Sequence, residues 1–319
     1  MELANDAVSH LLPAELNKGI RVATQADAGA VTRLLETAVY RHLHADWYMP
    51  GDWLGTAGFV ILPKPVTSPL SAAARFVGVR QQALACLAAA ADVPEVAWVR
   101  VAALSRNLPA PAEVLAEMMR RVETHLQRRR VSYLAWMPAM FWPGSWLTEM
   151  GFSLHNQIET YVKDDTAVPP SPLPTAFTIR PITDADFDTL ADLEMAAFGP
   201  LWRHSAHALR LASYQALSFD VVWVRDTAET VVGFQLSAHG DSGAHLVRLT
   251  IHPDYQGQGI GSALLAHAFA GYHRHGLINV SLNTQIDNLP SQHLYRKFGF
   301  RPSGHRWPLW LKEISHDPV

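Results

Sequence analysis

Residues 251–265, IHPDYQGQGIGSALL, carry Gly257, Gly259 and Gly261 at alternate positions between an apolar run and an amphipathic one. Glycine lets the backbone take positive φ and lets a bulky group approach the main chain closely. A helix starting at such a turn directs unpaired N–H groups and its positive dipole end at whatever lies above it. The chemistry this favours is the holding of a phosphate or diphosphate; the plainer reading is a tight strand-to-helix turn. A P-loop needs Lys and then Ser or Thr after its last glycine, whereas Gly261 is followed by Ser262 and Ala263. The dinucleotide pattern G-x-G-x-x-G also fails, because its third glycine would fall on Ser262 or Leu264.

The segment LTIHPDYQGQGIGSALL resembles the acyl-CoA diphosphate loop of the GNAT superfamily of N-acetyltransferases, Gln/Arg-x-x-Gly-x-Gly/Ala, at Gln256, Gly259 and Gly261. A second segment, IDNLPSQHLYRKFGF, is similar to the family's Asn, Leu-Tyr and Gly-Phe positions at Asn288, Leu294, Tyr295, Gly299 and Phe300. The resemblance covers about 177–314. It implies acetyl-CoA held between two parallel strands that splay apart, with pantetheine pairing along Leu249, Thr250 and Ile251. The diphosphate would rest on the N–H groups of Gln256, Gly257, Gln258, Gly259, Ile260 and Gly261, with Ser262 following in the first helical turn. An amine would attack the thioester directly.

Tyr295 matches the family's tyrosine that protonates the departing thiolate; a phenol of ordinary pKa about 10 stays a donor at neutral pH. Its other reading is a ring packed on one helix face. Asn288 would contact CoA or the nearby backbone, or simply cap a helix. Many relatives carry a glutamate near the start of the strand before the loop. This sequence has none there, and His245 occupies the region. A histidine near pKa 6.5 is a competent base, or else a surface residue at a strand end. Glu194 is a second candidate base, and water alone a third.

Sixteen histidines raise the question of a metal. His42/His44 and His273/His275 are spaced by two, which on a helix points the members of a pair apart. His204 and His207 could share a helix face, but no third ligand is near them in sequence, so no metal is expected. These two lie where acceptors bind in relatives. Cys86 is the one cysteine, which excludes a disulfide framework and multi-thiolate zinc.

The elements that must position these residues follow from the whole chain. At 319 residues, 49% hydrophobic, two globular domains are expected. A net charge of −3 offers no field for nucleic acid or an anionic membrane. No run reaches the roughly 18 apolar residues of a membrane span, and the N-terminus has no signal-peptide pattern, so a cytoplasmic protein is expected. Prolines 169, 170, 172 and 174 mark a spacer. The expected division is 1–162, a Pro-rich linker at 163–175, and 176–319.

The halves run parallel. IRVATQAD from Ile20 resembles IRPITDAD from Ile179, with Thr24 and Thr183 as N-caps and Asp27 and Asp186 in the first turn. WVRVAAL at 98–104 and LTEMGF at 147–152 each match a later segment at the same offset of 148 residues, Val99 onto Val247 and Leu147 onto Tyr295. This reads as an internal duplication, hence two tandem α/β folds of the GNAT kind, each a mixed, mostly antiparallel twisted sheet flanked by helices. At that offset Gln256 falls on Leu108, Gly259 on Pro111, Gly261 on Glu113 and Tyr295 on Leu147. The first half is therefore expected to be degenerate. Its tryptophans, 47, 53, 98, 136, 142 and 146, fill core or line a ligand surface. The resulting expectation is an acetyl-CoA-dependent N-acetyltransferase acting on a small-molecule or peptide amine, monomer or homodimer; the competing one is a silent CoA-sensing or scaffold protein.

Overall fold

A run such as ALACLAAAADV can be buried on both faces only if helices cover both sides of the sheet. The computed structural model, which describes residues 13–65, 82–138, 142–225, 230–240 and 243–316, has that arrangement: β4 (Ala83–Val93) and β5 (Val96–Leu104) are almost wholly buried. The described residues form two compact units. One holds the chain up to His155 and again from Leu309; the other holds Asn156 to Pro308.

In the first unit, β1 (Arg21–Val22), β3 (Phe59–Pro63), β4, β5 and β6 (Tyr133–Trp136) lie in that order. One core packs under α1 (Pro13–Lys18) and α3 (Pro111–Arg128), whose Val114, Leu115, Met118, Val122 and Leu126 recur at helical spacing and are buried. A second core packs under α2 (Ala28–Thr37). α4 is the short helix Gly144–Glu149.

In the second unit the order is β7 (Ser153–Lys163), β12 (Val280–Gln285), β11 (Gly243–Ile251), β10 (Val231–Gly240), β9 (Ala216–Val224) and β8 (Phe177–Pro181). α5 (Phe187–Ala197) and α6 (Ala206–Ser213) follow β8; α7 (Ile260–Arg274) follows β11. Ile260, Leu264, Ala268 and Tyr272 recur at helical spacing and are all buried. Each fully buried Leu or Ile contributes about 1.5–3 kcal/mol. α8 (Leu289–Lys297) and β13 (Arg301–Glu313) complete the chain.

The last strand of each half pairs away from its own half. β7 is antiparallel to β12, Ile158 opposite Gln285 through Lys163 opposite Val280. The end of β13 is antiparallel to β6, with Trp310 opposite Trp136 and Lys312 opposite Leu134. The units therefore do not break at 162 and 176: residues 156–163 belong with the later half and residues 309–316 with the earlier. The N-terminal segment read for targeting signals, and Asp226 and Thr227 of the run DVVWVRDT, lie outside the described residues.

Thr24 and Thr183 are the N-caps of short 3-10 turns, and Asp27 and Asp186 accept both the backbone N–H and the hydroxyl of their threonine. Arg21 and Arg180 each close the motif with a two-point ion pair to that aspartate. These contacts hold both carboxyls well below the usual range, at about 2.

Candidate active site

β11 ends at Ile251, and a 3-10 turn at Pro253–Tyr255 leads into the glycines. Gly257 and Gly259 have φ of +75° and +85°, and a Cβ on either would meet nothing within 4 Å. Backbone direction, not crowding, requires glycine there. Gly261 lies inside α7 with ordinary φ, where a Cβ would sit 3.7 Å from Ile251 and Leu294, a normal contact. Gly259 is the N-cap of α7, so the first N–H groups of that helix open onto the turn. Gln258, Ile260 and Ser262 stand in this stretch as the sequence suggests.

Gln256 departs from expectation. Its N–H is taken by the Pro253 carbonyl at 3.2 Å, and its side chain donates to the Ile251 carbonyl at 3.0 Å. It braces the turn rather than offering its N–H outward. A residue the sequence reading passed over supplies charge instead: Lys297 of α8 donates to the Ser262 hydroxyl at 3.4 Å, setting an ammonium beside the helix start. The signal was its place two residues after Tyr295, on the helix that reaches the glycine turn.

β11 and β12 are parallel and pair only at Ala244–Leu246 with Val280–Leu282. Beyond Leu246 they diverge, while β11 stays paired with β10 through Ile251. A bulge at Val247 coincides with the parting. Leu249, Thr250 and Ile251 thus present a strand edge away from β10. Ala244, Leu246, Leu249 and Ile251 pack toward α7. His245, Arg248 and Thr250 face the other way, toward α5.

On that face Glu194 is fully buried. Its carboxylate takes Nε of Arg248 at 2.9 Å, a second contact from Arg248 Nη2, the Thr250 hydroxyl at 2.8 Å and the His204 N–H at 3.2 Å. Four donors leave it no lone pair poised for an incoming proton, which argues against the base role read for Glu194. Arg248 also donates to the Trp202 carbonyl and stacks 3.9 Å from the Phe198 ring centroid. The sequence showed Arg248 only as one polar residue in an apolar strand.

Tyr295 on α8 is buried, its ring 5.9 Å from Phe300 and 6.4 Å from Tyr161. Burial pushes its hydroxyl up to about 12, against a hydrogen bond to Ser291 and the charge of Arg248, which pull it down. His245 lies at the closed end of the parting, its Nδ1 2.8 Å from the Ser281 hydroxyl. Asn288 is the N-cap of α8: Oδ1 accepts from the Ser291 N–H at 3.2 Å and Nδ2 donates to Gln285 at 3.3 Å. Of its two readings, capping is the one the contacts serve.

The first unit has the same parting and closes it. β5 and β6 pair at Val96–Trp98 only. Past that point β2 (Tyr40–Leu43) lies on the freed edge, antiparallel, with Leu43 opposite Val101 and Tyr40 opposite Leu104. His42 Nε2 donates to the Val99 carbonyl at 3.0 Å, and the His44 N–H to the Arg100 carbonyl at 2.8 Å. Burial pushes His42 down to about 4, so it is a neutral donor. His42 and His44, read above with helical spacing, stand on and just past a strand, where residues two apart share a face; their rings are 6.2 Å apart. Among the described residues no group of three or more His, Cys, Asp or Glu is arranged to hold a metal. Tyr40 packs between Trp142 and Trp146, and Trp142 Nε1 donates to the Arg41 carbonyl, so these tryptophans clamp β2. The turn after β5 has Ala110, at φ +48°, as its N-cap, flanked by Pro109 and Pro111.

Residues 187–300 match the Acetyltransferase (GNAT) family. A 63-residue segment is 35% identical to a putative [ribosomal protein bS18]-alanine N-acetyltransferase of Bacillus subtilis; the match covers 20% of this chain and 42% of that relative. A GCN5-related N-acetyltransferase from Sphaerobacter thermophilus shares the fold over 94% of this chain and 97% of its own, at 19% identity and TM-score 0.58. A tandem GNAT protein from the clavulanic acid biosynthesis pathway does so over 94% and 99%, at 14% identity and TM-score 0.56. The chain has a tandem GNAT fold, and its segment 187–300 matches the GNAT acetyltransferase family.

Proposed function

We propose that the chain is an acetyl-CoA-dependent N-acetyltransferase whose second unit alone carries the active site. The observation behind this reading is the contrast between the open edge at Leu249–Ile251 and the edge of β5 that β2 covers. Leu249, Thr250 and Ile251 would pair with pantetheine. The N–H groups from Gly257 to Ser262, with Lys297 beside them, would hold the diphosphate, because a helix start and a lysine both favour an anion. Asn288 would support this wall indirectly, by capping α8.

The acceptor amine attacks the thioester carbonyl directly. His245, steadied by Ser281 and on the face of β11 shared with Arg248, takes the amine proton through water. A primary amine is the acceptor class; a peptide N-terminus is the first to try, given the segment shared with the putative ribosomal-protein alanine acetyltransferase. A cytoplasmic enzyme without metal fits this chemistry.

Calorimetry should find one acetyl-CoA per chain, and Gly259→Glu should abolish binding through bulk and charge at the turn. Two equivalent sites, or none, would overturn the assignment. Transfer of labelled acetyl from acetyl-CoA to an amine and peptide panel separates an enzyme from a silent CoA sensor.

A further inference from the structure

Direct attack forms a C–N bond and breaks the C–S bond, so the sulfur leaves with the electron pair and needs either a proton or a positive charge beside it. Two groups are placed to serve it, Tyr295 and Arg248. Burial holds the Tyr295 hydroxyl above its ordinary value, so at neutral pH it is a neutral donor and brings no charge of its own.

Arg248 is built differently. It stands where β11 parts from β12, one residue past the bulge. Glu194 behind it is fully buried, while the guanidinium is 13% exposed and is the partner whose charge reaches the Tyr295 hydroxyl. Its Nε and Nη2 are spent on Glu194 and Trp202, and its flat face lies on Phe198. The fork is thus fixed in place, with Nη1 as its remaining edge. Charge that is oriented in advance stabilises a developing anion without reorganisation. His245 shares this face of β11, three residues away at the closed end of the parting, and His204 lies beside it with its backbone N–H on Glu194.

Resting on the acyl-CoA site proposed above, we infer that Arg248, its fork fixed where β11 parts from β12, carries the charge of the departing CoA thiolate. The amine nitrogen supplies the electron pair for the new bond and the sulfur keeps the pair of the old one. The amine proton leaves through His245 to solvent, and the products are an amide and CoA thiolate.

The test needs no acceptor. CoA itself is bound to the full-length protein and its thiolate absorbance is titrated with pH. In the wild type the bound thiol should titrate about 1–2 units below its free value, the displacement an adjacent cation produces. Arg248→Lys should keep most of that shift. Arg248→Gln should erase it; because it leaves Glu194 buried without its partner, the double variant Arg248→Gln/Glu194→Gln, neutral at both positions, should erase it as well. Tyr295→Phe should change it by a few tenths of a unit. CoA that binds with an unshifted thiol, or a shift that survives the double variant, would overturn the inference while leaving the site standing. CoA that fails to bind the wild type overturns the site itself. A shift lost in Tyr295→Phe and kept in the double variant would hand the sulfur to the tyrosine.

Discussion

Two units share one plan, and the largest difference between them lies at one strand edge. Both begin with an Arg, Thr, Asp motif of nearly identical geometry, Arg21–Thr24–Asp27 and Arg180–Thr183–Asp186. Both send a central strand past a parallel neighbour that pairs at only three positions. Both set an arginine on that strand against a carboxylate, Arg100 with Asp46 and Arg248 with Glu194. The carboxylates come from different elements, Glu194 from a helix and Asp46 from the turn after β2. The difference is what lies on the freed edge: the chain's own β2 in one unit and, among the described residues, no strand in the other. A fold that must open a strand edge to bind a ligand must close that edge when the ligand is given up, because unpaired backbone groups are costly to bury.

The comparison is broken most severely by cutting the chain. Fragment 176–319 lacks β7 and so leaves β12 without its neighbour on that side; it should lose cooperative unfolding by circular dichroism and all CoA binding. Next, the first unit can be given back its loop. Replacing Leu108, Pro111 and Glu113 by Gln, Gly and Gly should still yield one CoA per chain in calorimetry, because β2 holds the edge; two sites would show that the loop alone decides. Asp46→Asn strips the buried Arg100 of its partner and should cost about 3–5 kcal/mol of stability in urea unfolding, leaving CoA affinity unchanged.

The smallest effect belongs to the motifs the units share. Asp186 is depressed to about 2, so its contribution is present above the ordinary carboxylate value near 3.9 and is lost as pH falls through 2. Asp186→Asn should cost roughly 1–2 kcal/mol at neutral pH and nothing further at pH 2, and Asp27→Asn should behave alike. A variant as stable as wild type at neutral pH would show that the ion pair adds nothing.

How much of this the sequence disclosed depends on range. The glycine turn is local, set by residues within a few positions, and was legible. So was the decay of the first loop, because Pro109 and Pro111 remove donors whatever surrounds them. Glu194 was visible as a candidate, but not its bondage to Arg248, 54 residues away. β2 was missed because Tyr40–Leu43 is too short to show a period, and its pairing with Val101–Leu104 is a tertiary choice. The strand exchange left no local mark: β7 and β13 are credible strands beside either partner, and only long-range pairing selects one.

That exchange makes completion of the first unit wait for a strand synthesised long after the rest of it. Trp136 emerges from the ribosome about 170 residues before Trp310, the residue it pairs with. At 5–20 residues per second the edge of β6 waits roughly 10–35 s for its neighbour. During that interval the earlier half is a sheet with one strand owed to it, and the contact that closes it is among the longest in the chain, a kind that forms slowly. A ribosome stalled near residue 300 would release a protein whose second unit has nearly all of its strands and whose first unit has an open, apolar flank. Loss of β13 therefore injures the earlier unit, and quality control would meet the damage at β6 rather than at the cut.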